Sequence, residues 1–494
     1  MIEDIAIQDY TGGLGRVDLL IVAMSVLLLF VISYVFGREE RDTSDFFLGR
    51  RRMPSFVACL SFVAAEISAL TIVGFPATAY SENWEYVQFF IGSAIARISV
   101  AFLFIPVFYK YNCTSIYEFL RHRFGPETQY AGSVFFFITR LIASGVRLYA
   151  ACLGVALIMG WPLSQTLFMF TIVSIIFIAF GGIKAVVWAG AYQALTFFVA
   201  GVALLIYLLM QIKGGLATAW QIANQAGRLS FFKFEFDLND PTTFWAGTTN
   251  AFFISLASFG TDQEMMQRLL TVKTRKISQR TLVSTIATVI PITCIYLAIG
   301  TLLYVFYQQN PSVAPPAQDK EVLSHFVAYS LPLGLKGLLL AAIIMASIDS
   351  PLSSLCSSFV TDIYRPLTKN KANEKHYLLV SRAGVVVFGL ILALIALACG
   401  PVKNILWFAY KIFSLTGGAT LGVFLLGLLT KRRANKANIV AMIVSSVCIL
   451  ALMLLSYYGI IGLAWSWLIV IGTGITFGLG YLLGPLMTKS QTRQ

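Results

Sequence analysis

The sequence predicts an all-α protein that crosses a membrane many times. Hydrophobic residues make up 58% of the 494 residues and charged residues only 12%, which is more apolar surface than a soluble domain can bury. Apolar segments of about 20 residues, the length at which a helix crosses the hydrocarbon core, recur about thirteen times. The alternating pattern of a membrane β-barrel is absent from the sequence. We therefore expect about thirteen transmembrane helices.

The basic residues indicate how the chain is oriented. If residues 17–37 form the first, leading span, most Lys and Arg fall in every second connection, including 38–52, 268–280 and 431–433. Such an excess marks the cytoplasmic side. We expect the N-terminus outside, the C-terminus in the cytoplasm and a multi-pass protein of the cell membrane. Because this topology accounts for the net charge of +13, a nucleic-acid partner is not expected.

Two spans carry polar residues in their interiors, where an uninterrupted apolar helix would be expected. The second span contains Glu66, and the seventh contains Asn250 and Asp262. Interrupted helices at membrane depth are tolerated where they line a cavity. Because the two spans lie five apart, they predict two inverted five-helix repeats, at 54–212 and 242–428, with a binding site at their interface.

The rest of the chain completes a single membrane domain over residues 1–494. The leading helix at 17–37 precedes the first repeat, and two trailing helices at 436–487 follow the second. Seven cysteines are scattered without paired spacing, which predicts neither a metal-binding set nor a disulfide framework. No nucleotide-binding or catalytic motif is recognisable, so an enzyme is not expected.

The stretch 341–364 is apolar on one side and hydroxylated on the other. At about 100° per residue, six serines share one side: Ser347, Ser350, Ser353, Ser354, Ser357 and Ser358. Asp349 lies at the edge of this stripe, and Pro351 cannot donate to the carbonyl of Ser347. Serines of membrane helices also pack closely or bond their own backbone. Six on one face, with a carboxylate and a freed carbonyl, favour a site for a hard cation.

Arg140 and Arg147 are the clearest sequence clue to a bound solute. They lie seven residues apart, on one face of the fourth span. Guanidinium groups match carboxylates bidentately, so the pair predicts a solute that carries a carboxylate. The alternatives are that either arginine pairs with Glu66 or extends to a membrane interface.

Four stretches of the chain resemble the sodium:solute symporter family, which includes bacterial proline, galactose and sialic acid transporters and animal sodium–glucose and sodium–multivitamin transporters. They are FFLGRRRMP before the second span, FGGIKAVVW at a turn, TDQEMMQRLL ending the seventh span, and SSLCSSFVTDIYRP. They run in the family's order, and the resemblance covers nearly all of residues 15–485. It implies a LeuT-type inverted-repeat fold and a symporter in which sodium entry drives uptake of a small organic solute by alternating access.

The resemblance also implies a principal sodium site built from carbonyl and hydroxyl oxygens. The positions that match its ligands are Ala64, Ile67, Ile343, Ala346 and Ser347. At the position of Ala346 the family usually has a hydroxyl, so one side-chain ligand is missing here.

A second sodium site of some family members has an Asp at the position of Gly190, which this chain lacks. Asp349 occupies a position that is serine in that second site, and Ser350 follows it. Three roles are open for Asp349: a sodium ligand, a group that takes up a proton, or a structural partner of Arg97 or Lys411.

For the solute, the resemblance places two hydroxyls in the pocket, those of Ser68 and Thr71. The family's carboxylate-binding arginine falls at Ala143, one turn from both Arg140 and Arg147. Further candidates for solute contact are Gln88, Phe259 as part of a gate, and Asp262.

The expected partners are sodium, a carboxylate-bearing or sugar-like solute and the lipid bilayer, with the chain as a monomer. Two alternatives to sodium symport stay open on the sequence alone. One is proton coupling through Asp349 or Glu66. The other is a membrane sensor or channel that retains the transporter scaffold.

Overall fold

The computed structural model describes residues 14–37, 42–67, 69–316, 318–348, 351–369, 371–399 and 405–491. Its regular elements are helices, in keeping with the all-α prediction. In chain order they are α1 Arg16–Gly37, α2 Thr43–Leu48, α3 Ser55–Glu66, α4 Ala69–Ser81, α5 Gln88–Ser99, α6 Ile105–Lys110, α7 Glu118–Arg123, α8 Pro126–Met159, α9 Leu163–Gln211, α10 Gly215–Gln225, α11 Phe244–Gly260, α12 Gln263–Leu270, α13 Arg275–Gln309, α14 Val322–Ser330, α15 Leu335–Ile348, α16 Leu352–Ser358, α17 Arg365–Leu367, α18 Glu374–Ala398, α19 Ile405–Leu429, α20 Asn435–Tyr457 and α21 Leu468–Gln491.

Within the described residues, nine helices are long and apolar enough to cross a membrane, or ten if one bent pair counts as a span. The nine are Arg16–Gly37, Glu85–Lys110, Pro126–Leu153, Gly181–Gln211, Arg275–Gln309, Glu374–Ala398, Ile412–Leu429, Asn435–Tyr457 and Trp465–Met487. Shorter apolar helices lie at Leu163–Ala179 and Leu335–Met345. The count of thirteen spans, the orientation and the division into two repeats stay predictions.

Both interruptions predicted from the sequence are present. Helix α3 ends at Glu66, and Ile67 leaves the helical region with φ −84° and ψ 89°. The segments Ser55–Glu66 and Thr71–Ser81 are bent by 56° relative to each other. Helix α11 ends at Gly260, and α12 begins at Gln263. Between them, the side chain of Asp262 accepts a hydrogen bond from the backbone N–H of Glu264 at 2.9 Å. Asp262 is thus an N-cap, a position that favours Asp because it satisfies a free helical N–H.

The turn predicted at FGGIKAVVW is also present, inside α9. Gly182 has φ 47° and ψ −153°, a conformation that glycine adopts without strain and other residues do not. The turn brings the second half of α9 against α3 and α13. One buried cluster forms around α9, α13 and α15, and a second around α5, α11 and α19. The first broken segment contributes residues to both clusters, and the second contributes to the cluster around α5, α11 and α19.

A buried carboxylate ties the end of the serine-rich segment to α8 and to the turn before α7. Asp362 lies in the π-helical turn Phe359–Tyr364 and is fully buried. It accepts hydrogen bonds from Ser115 Oγ at 2.6 Å, Gln129 Nε2 at 2.8 Å, Ser133 Oγ at 2.9 Å and Ser358 Oγ at 2.5 Å. Because a buried carboxylate needs such donors, this group fixes three separate parts of the chain to one another.

We expect Asp362→Ala to lower the free energy of unfolding by about 1–3 kcal/mol, since it leaves buried donors without an acceptor. The measurement is thermal unfolding of the purified protein in detergent. Asp237→Ala is the matched control, because Asp237 is exposed and, among the described residues, accepts a single hydrogen bond, from the Asn239 N–H at 2.8 Å. This variant should cost less than about 0.5 kcal/mol. Equal unfolding temperatures for the two variants would contradict the anchoring role of Asp362.

Candidate functional site

A cavity of about 330 Å³ lies where the two broken segments meet. Its lining includes Glu66 and Thr71 from the first break, Arg140 and Arg147 from α8, and Phe259 from α11. This volume falls at the lower end of the range for sites that hold small molecules. Four residues predicted to contact a solute, Thr71, Arg140, Arg147 and Phe259, are therefore brought to one cavity.

The cavity extends to one end of the bundle, where the chain connects α4 to α5. Glu82 and Glu85 line this end, together with Trp465 before α21. Arg140 and Arg147 of α8 line the part of the cavity next to α12, where both lie close to Glu264. We call the part lined by Glu82 and Glu85 the mouth, and the part lined by Arg140 and Arg147 the floor.

Charged side chains of both signs meet at the floor. Arg140 pairs with Asp262 and, through Nη1, with Glu264 Oε2 at 2.6 Å. Arg147 Nη1 lies 3.9 Å from the same Glu264 oxygen, and Arg268 Nη1 lies 3.7 Å from Glu264 Oε1. In the part of the chain that the structure describes, these guanidinium groups lie around Asp262 and Glu264. Such pairing is what makes buried charge tolerable in a membrane protein.

The two predicted arginines differ in how much of each faces the cavity. The side chain of Arg140 is 8% exposed and that of Arg147 is 27% exposed. Arg147 Nη2 donates to the backbone carbonyl of Ala65 at 2.9 Å, so this side chain also touches the first break. Arg140 is largely occupied by its carboxylate partners, and Arg147 is the arginine more accessible to a solute.

A second ion pair lies on the wall of the cavity. Arg97 pairs with Glu66, and its guanidinium also donates to Ser93 Oγ at 2.6 Å and to Thr285 Oγ1 at 3.0 Å. Its Cζ lies 4.6 Å from the centre of the Phe259 ring, within the range of a cation–π contact. The sequence alternative in which Arg140 or Arg147 pairs with Glu66 is therefore wrong, because Arg97 takes that place.

The predicted sodium ligands are only partly described. Ala64, Ile67 and Ile343 lie in one buried cluster. Ala346 and Ser347 belong to the last turn of α15, but their side chains fall outside the description. Ser68, Asp349 and Ser350 lie outside the described residues. Their predicted roles stay predictions.

Close helix packing accounts for the glycine where some family members have Asp. A Cβ on Gly190 would lie 2.5 Å from Ser61 Oγ and 3.0 Å from the Ser61 Cα, so a larger side chain does not fit between α3 and α9. Ser61 in turn accepts a hydrogen bond from Arg268 Nε at 3.3 Å.

Three residues further along α9, Gln193 Nε2 donates to the carbonyl of Met345 at 3.0 Å. This link to the serine-rich segment was not predictable from the sequence.

Neither Gln88 nor Asp262 is among the described residues that line the cavity. Gln88 is buried and donates to the carbonyls of Glu85 and Thr242, both at 2.9 Å, while its Oε1 accepts from the Lys233 N–H at 3.1 Å. It therefore holds the connections at the mouth together. Asp262 acts on the floor through Arg140.

Helix α12 closes the inner end of the cavity, although half of its residues are polar. All eight of its residues are buried. Gln263 Nε2 donates to the carbonyl of Thr114 at 2.9 Å, and Gln267 Nε2 donates to that of Phe47 at 2.8 Å. The sequence shows this helix as QEMMQRLL, a polar stretch at the end of an apolar span. The hydrogen-bond partners of its glutamines could not be predicted, because they are distant in the chain.

Interrupted membrane helices that enclose a cavity with ion pairs at its floor are the arrangement of a secondary transporter. A model of the sodium:solute symporter family matches residues 46–445. The chain belongs to the sodium:solute symporter family, and it is a transporter and not an enzyme.

Individual relatives agree with this assignment. The chain is 30% identical over 459 residues to the sodium/sialic acid symporter SiaT of Proteus mirabilis (strain HI4320), a match that covers 88% of this chain and 90% of that protein. The structure of a Na⁺-coupled sialic acid symporter in a substrate-bound, outward-open state matches with a TM-score of 0.87 at 27% identity, over 96% of this chain and 98% of that one.

The fold is shared more widely than the sequence. Mhp1, a nucleobase-cation-symport-1 family transporter in a closed conformation, matches with a TM-score of 0.59 at 12% identity, over 90% of this chain and 94% of that one. At this identity the match concerns the fold alone. The LeuT-like fold expected from the family resemblance is thereby confirmed.

We expect Glu264→Gln to destabilise the protein by on the order of 3–5 kcal/mol, because it removes one partner of the buried ion pair between Glu264 and Arg140. The amide keeps the volume of the carboxylate, so a loss of packing does not explain the effect. Thermal unfolding in detergent measures it. Met266→Leu, a conservative change on the same buried helix, should cost less than about 1.5 kcal/mol. If Glu264→Gln unfolds at the temperature of the unaltered protein, Glu264 does not balance the floor.

Proposed function

We propose that this protein is a sodium-coupled symporter that imports a small organic acid by alternating access. The observation that carries the proposal is the cavity whose floor presents Arg147, beneath a mouth at the α4–α5 connection and above an inner end closed by α12. A cavity open at one end and closed at the other is one state of an alternating-access cycle. The sialic acid symporter of Proteus mirabilis supports an acid as the solute by analogy.

The floor is suited to bind an anion. Arg140 and Arg147 both line the cavity, so two guanidinium groups face the space in which a solute carboxylate would bind. Arg147, whose side chain is 27% exposed, offers the accessible guanidinium. Its planar fork fits a carboxylate better than a single ammonium would.

Sodium would bind beside this floor, at the first break. The proposed ligands are the carbonyl oxygens of Ala64, Ile67 and Ile343, with Ser347, as the family resemblance implies. Carbonyl and hydroxyl oxygens are ligands that hard cations prefer. Each net positive charge that enters along a potential of about 100 mV gains about 2.3 kcal/mol, which supports about fiftyfold accumulation of solute.

In this proposal the two repeats at 54–212 and 242–428 move relative to each other around the cavity. The mouth faces outside and α12 faces the cytoplasm. Opening of the inner end requires α12 to leave its hydrogen bonds with the carbonyls of Phe47 and Thr114. The solute and sodium would then be released inside.

Uptake into proteoliposomes should require a sodium gradient. With sodium outside and potassium inside, a labelled acid should accumulate; with potassium on both sides at the same pH, it should not. A proton gradient without sodium provides the control for proton coupling. Equal uptake in sodium-free potassium buffer would exclude sodium coupling, and uptake that follows the proton gradient would favour the proton alternative.

Arg147→Gln should raise the KM for an acid by about 10- to 150-fold, because the acid loses one hydrogen bond to a charged group. Arg147→Lys should recover only part of this, because an ammonium lacks the bidentate fork. Arg432→Gln is the matched control, since Arg432 lies on the surface over the Tyr481 ring at 4.4 Å. An unchanged KM in Arg147→Gln, or transport of neutral solutes alone, would contradict an acid as the solute.

A further inference from the structure

We infer that Glu66 and Ser93, held side by side by Arg97, form a second solute-binding group that recognises a hydroxyl of the acid. The inference rests on the proposed function and narrows it, because it makes a hydroxylated organic acid the solute. Both residues line the cavity, apart from the arginines of its floor. Both are bound by the same guanidinium, Glu66 through Nη2 and Ser93 through Nη1.

One of the two carboxylate oxygens of Glu66 is available to accept a hydrogen bond from a solute. Its Oε2 is taken by Arg97. No hydrogen bond from any residue in the described part of the chain reaches its Oε1. The side chain is 23% exposed, whereas that of Arg97 is 1% exposed, so the pair presents its carboxylate, and not its guanidinium, to the cavity. An ionised carboxylate only accepts hydrogen bonds, and it therefore requires a donor on the solute.

Ser93 supplies the complementary donor. Its Oγ accepts from Arg97 Nη1 at 2.6 Å and from Ser255 Oγ at 3.0 Å. Both lone pairs of a hydroxyl oxygen are then in use, while its own proton remains available. In the described part of the chain no acceptor for this proton is present. A donor thus stands next to the acceptor of Glu66, and a hydroxyl group, which donates and accepts, satisfies both.

The geometry is fixed before any solute arrives. Arg97 is buried, donates to Thr285 Oγ1 at 3.0 Å and lies against the ring of Phe259. These contacts hold the guanidinium, and the guanidinium orients Glu66 and Ser93. Groups that are ordered in advance lose little entropy on binding. A site built to hydrogen-bond a hydroxyl also rejects the analogue without it, because its polar groups are then left unpaired.

The test compares acids with their deoxy partners on the purified protein in sodium buffer. The probes are lactate against propanoate, 3-hydroxybutanoate against butanoate, and gluconate against hexanoate, measured by isothermal titration. We expect at least one hydroxylated acid to bind about tenfold or more tightly than its partner. Glu66→Gln and Ser93→Ala should each reduce this ratio by about tenfold or more.

Two variants keep the test decisive. Ser93→Ala leaves the Arg97–Glu66 pair in place, so it reports on the hydroxyl group even if Glu66→Gln folds poorly. Ser99→Ala, on the same helix and bonded to the Ile95 carbonyl at 2.9 Å, should leave the ratio unchanged. A purely structural ion pair would alter stability without altering the ratio.

The outcomes separate this inference from the proposal beneath it. If no acid binds in sodium buffer, the proposed function itself fails. If acids bind without preference for the hydroxylated member, or if both variants keep the full preference, the solute is an acid but Glu66 and Ser93 do not recognise its hydroxyl.

Discussion

The cost of placing charge at membrane depth governs this structure. An ionised side chain away from water is tolerated only when it is paired or hydrogen-bonded. Beside the cavity, two networks meet this requirement, one centred on Arg97 and one on Glu264. Both lie where a helix is interrupted. The interruptions supply free backbone groups, such as the Ala65 carbonyl that Arg147 contacts, and the networks in turn hold the interrupted ends in place.

The two networks give the cavity two different chemical characters. On the floor, the guanidinium groups of Arg140 and Arg147 line the cavity, which favours an anion. On the wall, Arg97 is covered and its partner Glu66 faces the cavity, which favours a hydrogen-bond donor. A solute that satisfies both has a carboxylate at one position and a hydroxyl at another. Specificity then follows from unpaired polar groups, a stronger discriminator than the size of an apolar pocket.

The sequence predicted the features that depend on local composition. Glu66 and Asp262 indicated the two breaks, and the seven-residue spacing of Arg140 and Arg147 placed both on the cavity side of α8. The ion pairs were not predictable, because Arg97 and Glu66 come from separate helices, and Arg140 and Glu264 are more than 100 residues apart. Pairing over such distances is set by helix packing. For the same reason Gln88, polar within an apolar span, was not distinguishable from a cavity residue.

Arg147 joins the parts of the proposed mechanism. It contacts the Ala65 carbonyl next to the proposed sodium ligands, lies 3.9 Å from Glu264 of the inner closure, and reaches the cavity with about a quarter of its side chain. A carboxylate bound to this guanidinium would also lie near Glu264. The two like charges repel each other, so the net attraction that holds Glu264 in place would become weaker. Solute binding on the floor, cation binding at the break and closure by α12 therefore act on one side chain. That shared contact gives a physical route by which solute and ion can bias the same conformational change.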